Sequence, residues 1–150
     1  MNRIAVLLPV YKKDNPGFLK NTIQSLLNQS YPSFTIFLGV DGPIEGELNE
    51  VVKECEEKDI FNVLRFRENR GLACVLNDLL TASINKGYEF FARMDADDIC
   101  LKDRFAKQMA FLQSHPDVDV VGGSIEEIDE NGEKNGKKVK WIWRIWVLIR

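Results

Sequence analysis

Short apolar runs alternate with longer segments of helical spacing along this chain, and this alternation constrains the fold more than any other sequence feature. Residues 4–8 are apolar without interruption, as expected for a strand buried on both faces of a parallel sheet. Further strand-like runs cover residues 34–40, 62–66 and 88–94. The alternation predicts an α/β fold, a single domain whose mostly parallel, doubly wound (Rossmann-like) sheet carries helices on both faces.

The helices are predicted from apolar residues three and four positions apart and from signals at their ends. Asn15 before Pro16 is typical of a helix start, and Gly71 and Gly87 flank the third helical segment. We expect Pro9 to end the regular pairing of the first strand. The predicted helices cover residues 16–29, 46–58, 71–86 and 102–114.

The end of the chain differs in charge from the rest. Residues 1–132 carry 14 basic and 22 acidic groups, a net charge of −8, whereas residues 133–150 carry 6 and 1, a net charge of +5. We therefore divide the chain into a domain, 1–132, and a basic, tryptophan-rich terminal strand or tail, 133–150. The acidic domain gives no electrostatic footprint for a nucleic-acid backbone, so no nucleic-acid partner is expected.

Within the tail, residues 139–149 place apolar side chains at every second position. A sheet strand explains this pattern, and so does an aggregation-prone edge left by the removal of a larger enzyme's remainder. If the segment is exposed, its three tryptophans favour self-association or contact with an anionic membrane surface.

Composition bears on the compartment. The cysteines, Cys55, Cys74 and Cys100, have no CxxC spacing, so we predict that they are reduced and buried or half-buried. No apolar run reaches the roughly eighteen residues of a membrane-spanning helix, and no signal peptide is expected before the first strand. These features predict a cytoplasmic protein, with a peripheral position at the inner face of the membrane if the tail binds there.

Three carboxylates, Asp95, Asp97 and Asp98, directly follow the run 88–94. Their mutual repulsion is costly at a buried strand end unless a cation is present. Mg²⁺ and Mn²⁺ favour oxygen ligands and commonly take one or two protein carboxylates. The cluster therefore predicts a divalent metal site; the competing interpretation is an acidic loop in which Asp98 or Asp103 supports a helix N-terminus.

Ligands of a doubly wound sheet bind beyond the carboxyl ends of its strands. Residues 9–11, Asp41 and the acidic cluster are all expected at that edge. For Arg93 two roles stay open, an ion pair with the cluster or a substrate contact, and Tyr11 could simply pack over the sheet edge.

Six short stretches that include these residues resemble the motifs of inverting family 2 glycosyltransferases, which use nucleotide sugars and have the GT-A fold. The stretches keep the family's order and spacing from residue 3 to about residue 130. They are VLLPVY (6–11), LLNQSYP (26–32), NRGLA (69–73), ARMDADD (92–98), DR (103–104) and HP (115–116). The resemblance implies a GT-A fold and transfer of a sugar from a nucleoside-diphosphate sugar to an acceptor hydroxyl with inversion.

The resemblance also implies roles for individual positions. In the DxD motif, Asp95 would contact the ribose and Asp97 would hold the divalent metal, Mg²⁺ or Mn²⁺, that bridges the donor diphosphate. Asp95 is a second candidate ligand of the metal, and Ala96 is a further donor-binding position. Backbone amides at Gly71 would suit a phosphate. The other donor-binding positions are Pro9, Val10 and Tyr11 around the base, Asp14 near the base or ribose, Asp41 on the base, and Arg70 and Gly71 beside the diphosphate and ribose.

Two positions depart from the family's pattern. Val40 precedes Asp41 where the family usually has a second acid, and Lys12 stands where asparagine is usual. We expect these changes to alter which base or sugar is accepted and to leave the metal site in place.

An inverting transfer needs a base for the acceptor hydroxyl, and the resemblance places that base and the acceptor site in a later segment, beyond residue 150. The last acids of the domain, Glu126, Glu127, Asp129 and Glu130, are expected on a hairpin around a turn at Asn131-Gly132. We therefore expect a truncated or naturally short glycosyltransferase domain that binds its donor, with an unidentified sugar or lipid-linked acceptor.

Two other classes share part of this pattern. A non-catalytic nucleotide-sugar-binding or assembly module would contain every motif described above. A receiver-like or phosphatase-like domain also binds magnesium at strand ends, but it requires an aspartate at the end of the first strand. This chain has Leu8, Pro9 and Val10 there, which makes that class the less favoured of the two.

Overall fold

The computed structural model describes residues 2–129, 132–139 and 148–149. The helices are α1 (Pro16–Leu27), α2 (Gly46–Glu56), α3 (Leu72–Asn85) and α4 (Arg104–Ser114). The strands are β1 (Ile4–Tyr11), β2 (Phe34–Asp41), β3 (Phe61–Arg65), β4 (Phe90–Arg93), β5 (Val120–Val121), β6 (Ile125–Ile128), β7 (Lys134–Val139) and β8 (Leu148–Ile149). All four predicted helices are present, with ends within two residues of the expected positions.

The main sheet has six strands in the order β3-β2-β1-β4-β8-β5. β1 pairs in parallel with both β2 and β4, and β2 pairs in parallel with β3. β8 lies antiparallel between β4 and β5. The predicted α/β architecture with a mostly parallel sheet is confirmed, and the strand order reverses at β1, which creates a crevice where open sheets bind ligands.

Successive residues of β1 enter two separate cores, one on each face of the sheet. Ile4, Val6 and Leu8 pack with α1, α2 and α4 in the larger core. Ala5 and Leu7 pack with α3 in the smaller core. Helices therefore cover both faces, which explains why β1 is apolar at every position up to its carboxyl end.

Pro9 does not end the pairing of β1, so that expectation was wrong. β1 stays in register with β2 up to Tyr11, whereas its pairing with β4 stops at Leu7. In a parallel ladder the N–H groups of successive residues point to opposite neighbours, and the Ile4 N–H points towards the β2 side. The missing N–H of Pro9 therefore faces the β4 side, beyond the last paired residue, where it costs no ladder hydrogen bond.

Residues 118–128 contain two short strands that belong to different sheets. β5 lies at the edge of the main sheet, and β6 pairs antiparallel with β7 in a separate hairpin. Gly122, Gly123 and Ser124 connect β5 to β6.

Helix α3 buries a narrower face than its sequence predicts. Val75 and Leu79 are fully buried, but Leu72 and Ile84 are half exposed. Cys74 is also exposed, which corrects the expectation that all three cysteines are buried or half-buried; all three are free thiols. Only the side of α3 that meets the sheet is covered, because no further layer packs on its outer surface among the described residues.

The tail is described in two pieces. β7 forms the hairpin with β6, and β8 belongs to the main sheet, where Leu148 is fully buried in the larger core. For Leu148–Ile149 the sheet-strand alternative is therefore the one observed. The three tryptophans lie at 141, 143 and 146, outside the described residues, so the membrane and self-association alternatives stay predictions. Among the described helices, none combines the length and apolar character needed to cross a bilayer.

Candidate functional site

A cleft of about 470 Å³ opens beyond the carboxyl ends of β1, β2 and β4, a size typical of small-molecule sites. It lies where the strand order reverses at β1, as expected for an open α/β sheet. Its walls come from four connections at this edge of the sheet. The lining residues are Pro9, Tyr11, Asp14, Asp41, Asn69, Gly71, Leu72, Val75, Arg93, Asp95, Ala96 and Asp97.

The structure brings eight of the ten predicted site positions to this cleft and leaves two outside it. Val10 is 1% exposed and lies in the larger core, because it points to the opposite face of β1 from its two neighbours. The guanidinium of Arg70 forms an ion pair with Asp78 and stacks 4.6 Å from the ring centre of Phe66. Arg70 thus contributes to the site through its backbone.

Asp41, at the end of β2, is buried and holds the 69–71 loop (residues 69–71). Its Oδ1 accepts a hydrogen bond from the Arg70 N–H at 2.7 Å, and its Oδ2 accepts one from the Gly71 N–H at 3.0 Å. Asn69 Nδ2 donates to the Asp41 carbonyl oxygen at 3.2 Å. The Gly71 amide, which we expected to face a phosphate, is therefore occupied by a carboxylate of the protein.

Two glycines, Gly42 and Gly71, lie beside the contact between Asp41 and the 69–71 loop. Gly71 begins α3 with φ +87°, and Gly42 has φ +85°, a region that favours glycine. A Cβ added to Gly42 would lie 2.7 Å from the Asn69 backbone nitrogen. The 69–71 loop thus packs directly on the backbone that follows β2.

The acidic loop (residues 95–101) follows β4 and carries the DxD motif. Arg93 pairs with Asp95, with Nη2 at 2.9 and 3.2 Å from the two carboxylate oxygens. Of the two predicted roles for Arg93, the ion pair with the acidic cluster is the one observed. Asp97 is exposed and Ala96 is buried. Arg104 donates to the Arg93 carbonyl oxygen at 3.1 Å, which ties the end of β4 to α4.

Asp14 closes the turn between β1 and α1 opposite the acidic loop. Its Oδ2 accepts a hydrogen bond from the Tyr11 N–H at 2.8 Å, and its own N–H donates to the Tyr11 carbonyl at 3.0 Å. Burial raises the pKa of Asp14 above its ordinary value against the opposing effect of the Tyr11 N–H, and repulsion from Asp97 and Asp95 raises it further. The three carboxylates therefore share one electrostatic environment.

This set of donors fits a divalent cation. The repulsion among Asp14, Asp95 and Asp97 is of the kind that a bound dication relieves. Within the part of the chain that the structure describes, no three His, Cys, Asp or Glu side chains are arranged to hold a metal by themselves. Mg²⁺ and Mn²⁺ commonly take one or two protein carboxylates and complete their shells with water and substrate phosphates, so one or two oxygens from this cleft suffice.

Three lining residues had no predicted role in the site: Asn69, Leu72 and Val75. Helical periodicity assigns Leu72 to the buried stripe of α3, yet half of its surface is exposed at the mouth of the cleft. Its position directly after a glycine that begins a helix at the sheet's ligand edge was the available signal. For Asn69 and Val75 the sequence offers no comparable signal.

Comparison with known proteins agrees with this geometry. Residues 5–149 match the family model for glycosyl transferase family 2. The chain belongs to glycosyltransferase family 2. The resemblance inferred from six short motifs is thereby confirmed over nearly the whole chain, including the stretch after residue 130 that those motifs did not reach.

Curated glycosyltransferases match this chain over about half of their own length. An uncharacterized glycosyltransferase of Haemophilus influenzae is 39% identical over 129 residues, which are 86% of this chain and 47% of that protein. The amylovoran biosynthesis glycosyltransferase AmsE of Erwinia amylovora is 33% identical over 135 residues, 90% of this chain and 50% of that protein. The chain thus spans about half the length of these curated relatives.

A solved structure shares the fold. S. aureus TarS 1–349 in complex with UDP-GlcNAc superposes with a TM-score of 0.71 over 93% of this chain and 37% of that chain, at 21% identity. At this level of identity the likeness establishes the fold alone, and it confirms the GT-A architecture expected of a family 2 glycosyltransferase.

Proposed function

We propose that this chain is the donor-binding part of an inverting glycosyltransferase and that its cleft binds a nucleoside-diphosphate sugar. The observation that carries the proposal is the position of the acidic loop across one cleft from the 69–71 loop, at the reversal of strand order in a family 2 chain. The cleft has room for a nucleotide, and TarS, which shares the fold, was solved with UDP-GlcNAc.

Within the cleft each wall suits one part of such a donor. Pro9 and the 40%-exposed ring of Tyr11 offer a flat, partly apolar surface for a base. Asp95 and Asp97 are proposed as ligands of Mg²⁺ or Mn²⁺, which would stabilise the charge that develops on the diphosphate. Arg93 holds Asp95 in place through its ion pair. Asp41 fixes the 69–71 loop through one hydrogen bond at each carboxylate oxygen. Because each oxygen has a second lone pair and Asp41 also lines the cleft, its carboxylate is still proposed to contact the base.

In the proposed reaction the acceptor hydroxyl attacks the anomeric carbon while the bond from that carbon to the diphosphate oxygen breaks. Attack from the side opposite the leaving group inverts the configuration. The hydroxyl proton passes to a general base, which we place in the half of the relatives' length that this chain does not match. Among the described acids, Glu126 forms an ion pair with Lys134 on the β6–β7 hairpin and is not assigned this role.

The acceptor and the location remain predictions. A sugar or a lipid-linked molecule is proposed as the acceptor, in a cytoplasmic enzyme that lies at the inner face of the membrane if its tail, 133–150, binds there. Neither the identity of the base nor that of the sugar is assigned. Of the two residues that depart from the family's pattern, Lys12 is exposed and Val40 lies in the larger core.

Calorimetric titration with UDP, GDP and their sugars, with and without Mn²⁺, tests the proposal. We expect one of these nucleotides to bind in a Mn²⁺-dependent manner and Asp97→Ala to weaken that binding at least about 10-fold. Asp119→Ala, which changes an exposed acid outside the cleft, is the matched control and should bind as the wild type does.

If the wild-type chain binds no nucleotide in a Mn²⁺-dependent manner, the donor-site proposal is wrong. Binding without sugar transfer or donor hydrolysis, measured on the full-length protein, would instead favour the non-catalytic nucleotide-sugar-binding module.

A further inference from the structure

The acidic loop is attached to helix α1 by side chains that never line the cleft. Thr22 is fully buried, and its Oγ1 lies 3.0 Å from the Ala96 carbonyl oxygen and 2.8 Å from the Asp98 carbonyl oxygen. A threonine hydroxyl has one proton to donate, so the two carbonyl oxygens share it. One buried hydroxyl thus contacts the loop on both sides of Asp97.

Peptide geometry gives this contact a specific consequence. The Ala96 carbonyl and the Asp97 nitrogen belong to one planar peptide unit, so holding that carbonyl fixes the plane that enters Asp97. Holding the Asp98 carbonyl likewise restricts the peptide unit that joins residues 98 and 99. The Asp98 N–H, in the peptide unit between these two, donates to the Asp95 carbonyl at 3.4 Å. Together these contacts restrict the backbone on both sides of Asp97 and thereby the direction in which its side chain leaves the backbone.

Two further residues extend the attachment along the same side of α1. Ser25 Oγ accepts a hydrogen bond from the Cys100 N–H at 2.9 Å. Gln29, just beyond the end of α1, donates from Nε2 to the Leu101 carbonyl at 2.7 Å and accepts at Oε1 from the Phe105 N–H at 3.2 Å. Gln29 thereby satisfies one of the free N–H groups at the start of α4, whose cap residue forms no side-chain hydrogen bond of its own.

We propose that Thr22 is a positioning residue that sets the direction of the Asp97 carboxylate, with Ser25 and Gln29 fixing the remainder of the acidic loop. The proposal rests on the function proposed above, because it assigns Thr22 a role in metal-dependent donor binding. Thr22 touches neither donor nor metal; it acts through the backbone on either side of Asp97.

The decisive variants are Thr22→Val, which keeps the shape and removes the hydroxyl, and Thr22→Ser, which keeps the hydroxyl. Thr81→Val is the matched control, because the Thr81 hydroxyl donates only to the Asn77 carbonyl of its own helix in the contacts described. Amide hydrogen–deuterium exchange of residues 96–101 is measured first, on metal-free protein. Titration with Mn²⁺ at fixed nucleotide then gives the half-saturating Mn²⁺ concentration.

We expect Thr22→Val to speed exchange in the acidic loop about 10-fold and to raise the half-saturating Mn²⁺ concentration about 10-fold, at unchanged metal-free nucleotide affinity. Thr22→Ser and Thr81→Val should stay within about 2-fold of the wild type on both measures. A purely structural role would lower the melting temperature of Thr22→Val and leave the Mn²⁺ concentration unchanged for the folded protein.

Several outcomes overturn the proposal. Wild-type exchange and Mn²⁺ response in folded Thr22→Val would do so, and so would equal impairment of Thr22→Ser, which would assign the effect to the methyl group. If Thr22→Val does not fold, Ser25→Ala replaces it, with the same direction and a smaller change expected. If the wild type binds no nucleotide, the donor-site proposal fails, and the exchange data alone decide whether Thr22 holds the loop.

Discussion

The two loops that face each other across the cleft are held in chemically different ways. The 69–71 loop is held by a buried carboxylate, Asp41, whose two oxygens accept from consecutive backbone amides. Asp95, at the start of the acidic loop, is paired with Arg93. On its α1 side the acidic loop is held by neutral hydroxyl and amide groups of Thr22, Ser25 and Gln29. The difference follows the charge of what each loop carries into the site.

A carboxylate is a stronger hydrogen-bond acceptor than a neutral oxygen, so it suits the 69–71 loop, which presents N–H groups and carries no acid. Behind Asp95 and Asp97 another carboxylate would add to a repulsion that already raises the pKa of Asp14. Neutral anchors avoid that cost. The positions of the two loops in the fold do not by themselves indicate that one is held by a carboxylate and the other by neutral groups.

Among the variants that test this contrast, Asp41→Asn should change the free energy of unfolding most. The amide keeps one acceptor oxygen and turns its NH2 group towards a backbone N–H, so one buried hydrogen bond is lost and the charge with it. We expect a loss of about 2–3 kcal/mol in the free energy of unfolding, measured by urea denaturation. Asp78→Asn is the control, because Asp78 pairs with the exposed side chain of the same Arg70, and it should lower the free energy of unfolding much less than Asp41→Asn does.

If both substitutions cost the same, Asp41 does not hold the loop through its charge, and the contrast between the two loops is lost.

Gly42→Ala should give an intermediate effect that reports on packing rather than charge. Gly42 and Gly46 both have positive φ, but an added Cβ meets the Asn69 backbone at 2.7 Å only in the first case and meets nothing within 4 Å in the second. The shared backbone strain cancels in the comparison of Gly42→Ala with Gly46→Ala. We expect the free energy of unfolding of Gly42→Ala to be about 1–2 kcal/mol lower than that of Gly46→Ala, measured by thermal or urea unfolding. Equal free energies would mean that the 69–71 loop can shift freely to make room for the added Cβ.

Asp14→Asn, opposite the acidic loop, should give the smallest change in the free energy of unfolding. The folded-state pKa of Asp14 is raised above 3.8, so the folded protein binds more protons than the unfolded chain between the two pKa values, and stability falls as pH rises through that interval. We expect Asp14→Asn to gain on the order of 0.5 kcal/mol at neutral pH, since the half-exposed group is screened by solvent. The gain should vanish below about pH 3.8 and shrink on addition of Mn²⁺. Urea unfolding across this pH range checks it, and a gain that does not change with pH contradicts it.

Much of this fold could be predicted because its signals are local. Apolar runs buried on both faces mark β1, β2 and β4, and Asp95 and Asp97 directly follow the last of these. The period-two run over residues 139–149 is typical of a strand, but nothing in it marks the position of β8 between β4 and β5. Val10 was assigned to the base pocket by resemblance, whereas strict alternation along β1 sends it into the core.

The contacts that hold the two loops could not be predicted from the sequence for another reason. Every residue except proline carries a backbone N–H, so nothing in the sequence marks the Arg70 and Gly71 amides as the partners of Asp41. Thr22 presents the same difficulty: a polar residue on the buried side of α1 can be recognised, but its acceptors are backbone carbonyls some 74 residues further along the chain.

The pairing of β8 with β4 has a consequence for how the molecule is made. Ala92 of β4 pairs with Leu148 of β8, a contact of high sequence separation whose loop-closure entropy must be met before the contact stabilises anything. During synthesis one side of β4 therefore stays unpaired until β8 has been made. A nascent or proteolysed chain that lacks Leu148 would expose a bare strand edge, the kind that recruits other chains into aggregates, immediately before the acidic loop.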